Sequence, residues 1–244
     1  MKKIMALAAV ASLLFAFIPA HAQKEKGNKE KHKYKNEKAI QGSGNLITRD
    51  VPVQSFDQLE ASGVYQLVLI QGAKEGVKVE ADDNLQDLFE VKNEGSKLIV
   101  NMKDTNYESK NKVKISVSFK QLKSMDLKVV GNVSSDGNLK FGDLSLNSKT
   151  VGSVTLAFNV QKLDFDNKSV GSVNLSGKAN EAVIRSKGVG SLKAGDFVVE
   201  NLDINNDGVG GAEVNATKEF KVRDSFLGKV KNVGSATPKK KVVI

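Results

Sequence analysis

The sequence predicts an all-β protein. The expected fold is a parallel β-helix, or β-solenoid, with coils of about 19–20 residues and a β-rich N-terminal segment forming its first coils or its cap. Three observations predict it. A Val-Gly-Ser-Val motif and its variants recur between residues 130 and 230, and segments alternating with a period of two precede it from residue 42 onward. Proline occurs only at positions 19, 52 and 238, so no central strand has to accommodate one.

The repeat is defined by its columns. Its glycines are Gly131, Gly152, Gly171, Gly190, Gly210 and Gly228, spaced by 21, 19, 19, 20 and 18 residues. Before them stand Val130, Val151, Val170, Val189, Val209 and Leu227, and two residues after them Val133, Val154, Val173, Leu192, Ala212 and Val230. A second apolar pair lies eight and six residues before the glycine: Leu144/Leu146, Leu163/Phe165, Ala182/Ile184, Leu202/Ile204 and Phe220/Val222. In the first repeat the pair Met125/Leu127 lies two residues closer. Four residues before the glycine the column turns polar: Ser148, Asn167, Ser186, Asn206 and Asp224. Each unit therefore reads as two short alternating strands joined by two turns, one of which carries the glycine.

Columns of like residues are what stacked parallel coils require, with neighbouring coils ~4.8 Å apart. The apolar columns, including the valines beside the glycines, are expected to fill a continuous core. The Ser/Asn column is expected to hydrogen-bond along the stack. The glycine marks a bend that a Cβ would obstruct or that needs positive φ. An antiparallel meander would pair the two strand types with each other and gives no reason for identical columns. Propeller blades are about twice this length.

Before the repeat, strands are expected at Leu46–Asp50, Val64–Gln71, Val77–Ala81, Lys97–Met102 and Lys112–Lys120. The last alternates most clearly, with Val113, Ile115, Val117 and Phe119 on one face and Lys114, Ser116, Ser118 and Lys120 on the other. Asp82–Phe89 is the one segment that suits a helical turn, placing Leu85, Leu88 and Phe89 on one side.

The N-terminus has the three parts of a secretory signal peptide: Lys2-Lys3, an apolar stretch from Ile4 to Ile18, and small residues at Ala20 and Ala22 before Gln23. That stretch is short for a bilayer span of roughly 20 residues. There is no cysteine, so neither a lipidated N-terminal cysteine nor a disulfide is available, and the core alone must stabilise the exported chain. The expected division is residues 1–22 as signal peptide, 23–41 as a disordered Lys/Glu-rich tether, 42–120 as the β-rich N-terminal part, 121–237 as solenoid repeats, and 238–244 as a basic tail.

The formal net charge of +9 resides at the ends of the chain. Residues 23–41 carry seven lysines against three glutamates, the tail carries Lys239, Lys240 and Lys241, and residues 42–237 are neutral. A basic arm on a neutral body suits loose attraction to anionic surfaces such as lipopolysaccharide, not a nucleic-acid groove. No apolar segment after the signal peptide is long enough to span a membrane as a helix.

The only histidines are His21 and His32, so the body from residue 42 has no His, Cys or Trp. Ser-His-Asp and Cys-His catalysis and imidazole or thiolate metal sites are thereby excluded there. No Walker-type glycine loop occurs. What remains is carboxylate, lysine and arginine chemistry. Five residues before the glycines stand Asn147, Asp166, Arg185, Asn205 and Arg223, and seven before stand Ser145, Asp164, Val183, Asp203 and Lys221. Asp166 beside Arg185 reads as an exposed cross-strand ion pair. Asp82, Asp83, Asn84 and Asp87 gather oxygens in a short span but lack the EF-hand spacing and read as a capped turn. Asn206-Asp207-Gly208 reads as a turn. No catalytic, cofactor-binding or metal-ligating residue is assigned, and no cofactor is expected.

The ordered set Gly42-Ser43-Gly44-Asn45, Phe56-Asp57, Ala61-Ser62-Gly63-Val64, Leu67–Gly72, Val77–Asp82 and Leu98-Ile99-Val100, followed by the Val-Gly-Ser-Val repeats, resembles the "putative auto-transporter adhesin, head GIN" domain family over roughly residues 42–235. The resemblance implies an all-β, β-helix-like fold and a Gram-negative envelope location, and it brings no catalytic residues. An autotransporter needs a C-terminal membrane barrel, whereas this sequence ends in Lys241-Val242-Val243-Ile244 directly after the repeats, so display by another route is expected. The expected function is that of a non-enzymatic exported envelope protein, in the periplasm or at the outer membrane or cell surface. It would act as an adhesin or interaction scaffold for glycan or protein. The rivals are a carbohydrate-active enzyme of the polysaccharide lyase or hydrolase kind, and a structural or sensory accessory of an envelope system.

Overall fold

The computed structural model describes residues 39–240. The expected signal peptide, most of the expected tether and the last four residues lie outside the described residues. Eighteen strands are described, β1 (Ile40–Gln41), β2 (Leu46–Val51), β3 (Gln58–Val64), β4 (Gln66–Gln71), β5 (Gly76–Asp82), β6 (Phe89–Glu94), β7 (Lys97–Met102), β8 (Tyr107–Glu108) and β9 (Lys114–Phe119) preceding the repeats. They continue as β10 (Ser124–Val130), β11 (Val133–Lys140), β12 (Asp143–Ser148), β13 (Val151–Asn167), β14 (Val170–Ser186), β15 (Leu192–Asn206), β16 (Ala212–Asp224), β17 (Val230–Asn232) and β18 (Pro238–Lys240). The one helical turn among the described residues is a 3-10 segment at Asp83–Leu88, with Leu85, Leu88 and Phe89 buried.

One coil shows how the sequence makes the fold. From Val154 to Val160 alternate residues are buried, Gln161 and Lys162 both face solvent at a corner, and from Leu163 to Ser169 the alternation resumes. Val170, Gly171 and Ser172 then turn the second corner. Period two along each run puts every second side chain inside the coil. Stacking is parallel and in register: Val151 to Gln161's neighbours pair residue for residue with the next coil, as in Val154↔Val173, Phe165↔Ile184 and Asn167↔Ser186. The parallel β-solenoid expected from the columns is the observed fold.

The stack begins before the repeats. β3 pairs in parallel with β10, and β4 with β11. On their other sides β3 pairs in parallel with β7, and β4 with β9. Coil order therefore departs from chain order, because the β3–β4 coil lies between β7–β9 and β10–β11. Antiparallel strands close this end, β6 on β7 and β5 with β2 on β9. Four strands before the repeats differ from expectation: Gln58–Val64, Phe89–Glu94, Tyr107–Glu108 and Ile40–Gln41, the last two pairing with each other and the last lying in the segment expected to be a disordered tether. The first was missed because its interior faces are supplied by Leu59 and Ala61 and it bends away at Tyr65. At the other end the basic tail contributes a strand, since Pro238–Lys240 pairs with Phe220–Val222. A short, lysine-bearing terminal strand starting with Pro suits an edge that must not recruit another chain.

Two column readings need correction. The valines before the glycines do not fill the core: Val64, Val130, Val151, Val170, Val189 and Val209 are each 45–51% exposed, and Leu227 is 60% exposed. Inward alternation puts Ser169 inside and Val170 outside, so the buried partner of the corner is the residue two after the glycine, Val173. The first repeat is not shifted either. Met125 stacks on Leu146 and Leu127 on Ser148, which leaves Leu127 as the one apolar member of the polar column.

That column is internal, as its hydrogen bonds require. Ser148, Asn167, Ser186 and Asn206 are buried. Ser148 Oγ and Ser169 Oγ are 2.9 Å apart, and Asn167 Nδ2 donates to Ser186 Oγ at 3.2 Å. Asn206 Nδ2 donates to the Gly228 carbonyl at 2.8 Å and to the Gly210 carbonyl at 3.2 Å. The other run contributes an aromatic file to the core: Phe119 stacks on Phe141 at 6.0 Å, which meets Phe158 at 5.8 Å, which meets Phe197 at 4.9 Å.

Candidate functional site

The irregular glycine spacings mark where the sheet departs from its register. The 21-residue coil holds two extra residues between Ser134 and Asn138, opposite Thr155 and Ala157. The 20-residue coil holds one extra residue between Lys193 and Asp196, opposite Asn174 and Ser176. The 18-residue coil that follows is shorter by two, and its register against β15 breaks between Ala194 and Val198 and again between Val199 and Asn201. Bulges of this kind re-aim side chains.

At the second and third of these breaks lies an open groove of about 930 Å³ crossing β13 to β17, from Thr155 to Val233. Its floor is Leu175, Leu192, Ala212 and Val230, and its walls carry hydroxyl, amide and charged groups from Thr155, Asn174, Ser176, Ser191, Lys193, Asp196, Glu213, Lys229 and Lys231. Asn174 Nδ2 donates to Thr155 Oγ1 at 3.3 Å, and Lys231 Nζ meets Glu213 Oε2 at 3.1 Å. Glu213 lies over Gly195, where a Cβ would come within 2.8 Å of its Oε1. Lys193 is exposed and has no ion-pair partner among the described residues. The groove therefore offers, among the described residues, an unpaired Lys193 and an unpaired Asp196, the Lys231–Glu213 pair, Lys229 turned towards Asp224 at 3.9 Å, and a row of neutral donors and acceptors. A polar, extended ligand is the class such a surface can hold. The sequence columns did not single out these residues, although the 20-then-18 spacing was the signal that located them.

The residues weighed for chemistry lie elsewhere. Arg185 Nε donates to Asp166 Oδ1 at 2.8 Å and its Nη2 to Asp166 Oδ2 at 3.2 Å, with Nη2 also meeting Asp164. This partly exposed fork, hydrogen-bonding first and charge after, holds the Asp166 carboxyl below its ordinary range. Arg223 likewise donates to Asn205 at 3.0 Å and to Asp207 at 2.9 Å. Asp82 is fully buried and accepts from Asn111 Nδ2 at 2.6 Å, Ser109 Oγ at 2.8 Å and the Gly44 amide at 3.3 Å. These bonds, Asn111 first, keep its carboxyl low. Its neighbour Asp83 accepts from Ser43 and Asn45. The acidic segment thus ties the Gly42–Asn45 turn and the 109–111 loop to the body.

Fold and groove together define a β-solenoid with one bulged, polar face. The chain belongs to the family described as "Putative auto-transporter adhesin, head GIN domain", whose model matches residues 55–236. It is similar to the crystal structure of a putative adhesin from Bacteroides fragilis NCTC 9343, with 28% identity and a TM-score of 0.69, over 83% of this chain and 100% of that one. Similar in fold, at 18% identity, are a putative lipid binding protein and a putative adhesin, both from Parabacteroides distasonis ATCC 8503. Their TM-scores are 0.53 and 0.51, over 84% and 83% of this chain and 100% of each of theirs. No curated protein matches the chain. No helix among the described residues is long and apolar enough to cross a membrane.

Proposed function

We propose that the chain is an exported, non-enzymatic adhesin-type interaction protein of the cell envelope, periplasmic or at the outer membrane or cell surface. Its proposed role is to hold a glycan or an extended protein segment in the groove across β13–β17. The observation that carries this reading is the coincidence of the groove with the register breaks of an otherwise regular solenoid. Family membership and the adhesin name of the Bacteroides fragilis relative support it. The groove's unpaired Lys193 and Asp196 suit a ligand that brings both an acidic and a basic or hydroxyl-donating group, and its hydroxyl and amide rows suit sugar hydroxyls or a peptide backbone.

Fractionation locates the protein, and a screen of glycans and matrix proteins against wild type and Lys193→Glu tests the groove. The reading expects at least one binder, weakened by the substitution. A protein confined to the periplasm that binds nothing in the screen would remove the adhesin reading. In parallel, incubation with anionic polysaccharides tests the carbohydrate-active rival, and unsaturated products or new reducing ends would replace this reading with that one.

A further inference from the structure

A second surface, on the glycine corner, is built from two stripes. The first is the ladder of Val64, Val130, Val151, Val170, Val189, Val209 and Leu227, about half-exposed throughout. At ~4.8 Å per coil it runs about 29 Å along the stack. It ends beside Phe226, which is 88% exposed. The second stripe lies two residues earlier in each of three successive coils: Lys149, Lys168 and Lys187. Their backbones stack directly, Lys168 N donating to Ser148 O and Lys187 N to Asn167 O, each at 2.8 Å.

Neither stripe is explained by the fold. Half-exposed valines contribute little to a core. Like charges opposite one another on adjacent strands are destabilising, yet all three lysines are exposed and have no ion-pair partner among the described residues. Most lysines elsewhere in the body are paired, including Lys128 on the preceding coil with Asp126 at 2.7 Å. Asp166, the carboxylate nearest to Lys168 in sequence, accepts from Arg185 and feels Lys168 and Lys187 only at longer range, and Asp207, which follows Lys187 in the stack, is held by Arg223.

We infer that this corner docks the protein on an anionic lipid bilayer, the lysines meeting phosphate-bearing headgroups and the aliphatic ladder with Phe226 entering the interface. Charge complementarity selects this occupant, since an apolar stripe flanked by unpaired cations matches the headgroup–acyl boundary. A second copy of the chain suits it poorly. Two such corners facing each other would bring their exposed lysine rows together, and like charges opposed in this way repel. The groove begins on the run that follows the corner, at Ser191, Gly211 and Lys229, and neither the ladder nor the three lysines line it.

Co-sedimentation of the full exported chain with phosphatidylcholine vesicles, with and without phosphatidylglycerol, tests it. Wild type is expected to bind only the anionic vesicles. Lys168→Glu turns three like charges into an alternating row, so its thermal midpoint should equal or exceed that of wild type while vesicle binding falls about tenfold. Lys178→Glu, an exposed and unpaired lysine away from the corner, makes the same change in net charge and should keep wild-type binding. Val170→Ser should weaken binding with the charge intact. Equal losses in Lys168→Glu and Lys178→Glu would overturn the inference in favour of overall charge or the basic N-terminal arm. Concentration-dependent self-association abolished by Val170→Ser, without vesicle binding, would overturn it in favour of a second copy.

Discussion

The carbonyl oxygen of Gly152 occupies the space that a Cβ on Gly171 would need, one coil away, and Gly171 itself turns with φ at +128°. The same relation links Gly171 to Gly190 and Gly190 to Gly210. The corner is thus a file of backbones in mutual contact. Gly171→Ala should cost at least about 3 kcal/mol, from backbone strain plus overpacking, as read from denaturant midpoints.

The two valines of one motif should respond differently. Val170 is half-exposed and Val173 is buried. Val170→Ala should change stability by no more than about 0.5 kcal/mol. Val173→Ala should cost about 2 kcal/mol for the lost burial and the cavity. Equal costs would return the first valine to the core.

Removing Asn206 leaves two carbonyls, of Gly210 and Gly228, without their donor. Asn206→Leu should therefore destabilise by about 1–3 kcal/mol despite the gain in apolar volume. Local hydrogen exchange should rise in the coil from Gly210 to Gly228, which loses the tie, more than in the coils near Gly152.

Asp82 supplies an acid-sensitive tie. Its carboxyl is held below the ordinary value of 3.8 by Asn111, Ser109 and the Gly44 amide. A lowered folded pKa contributes stability that is present above the unfolded value and lost as pH falls through the folded one. Asp82→Asn should be less stable than wild type at pH 7, because its amide would oppose donors. The gap should narrow as pH falls below 3.8, measured as the difference in thermal midpoint.

How much of this was legible follows from what a one-dimensional pattern can carry. Identical columns gave the parallel stack, because registers such as Phe165↔Ile184 repeat a single spacing. Apolarity alone did not give direction. Val170 and Val173 look alike in sequence, and only the alternation through Ser169, counted around the glycine corner, separates outside from inside. The N-terminal coils were harder still. β3 and β4 find their neighbours in β10 and β11, some 65 residues on, across strands inserted at the end of the stack, and no local signal encodes that order. The groove was written in the spacings of 20 and 18 residues, which reads as irregularity until the bulge at Gly195-Asp196 gives it a place.

A paired titration decides whether the proposed ligand is held across β13–β17. A ligand from the glycan and matrix-protein screen is titrated against wild type, Asn174→Arg in the groove, and Asp164→Ala on the other run of the coil. A ligand in the groove should bind Asn174→Arg at least about tenfold more weakly, equivalent to ~1.4 kcal/mol, and Asp164→Ala with near wild-type affinity. Unchanged binding by Asn174→Arg with loss in Asp164→Ala would contradict it and move the site to the Asp164–Arg185 face.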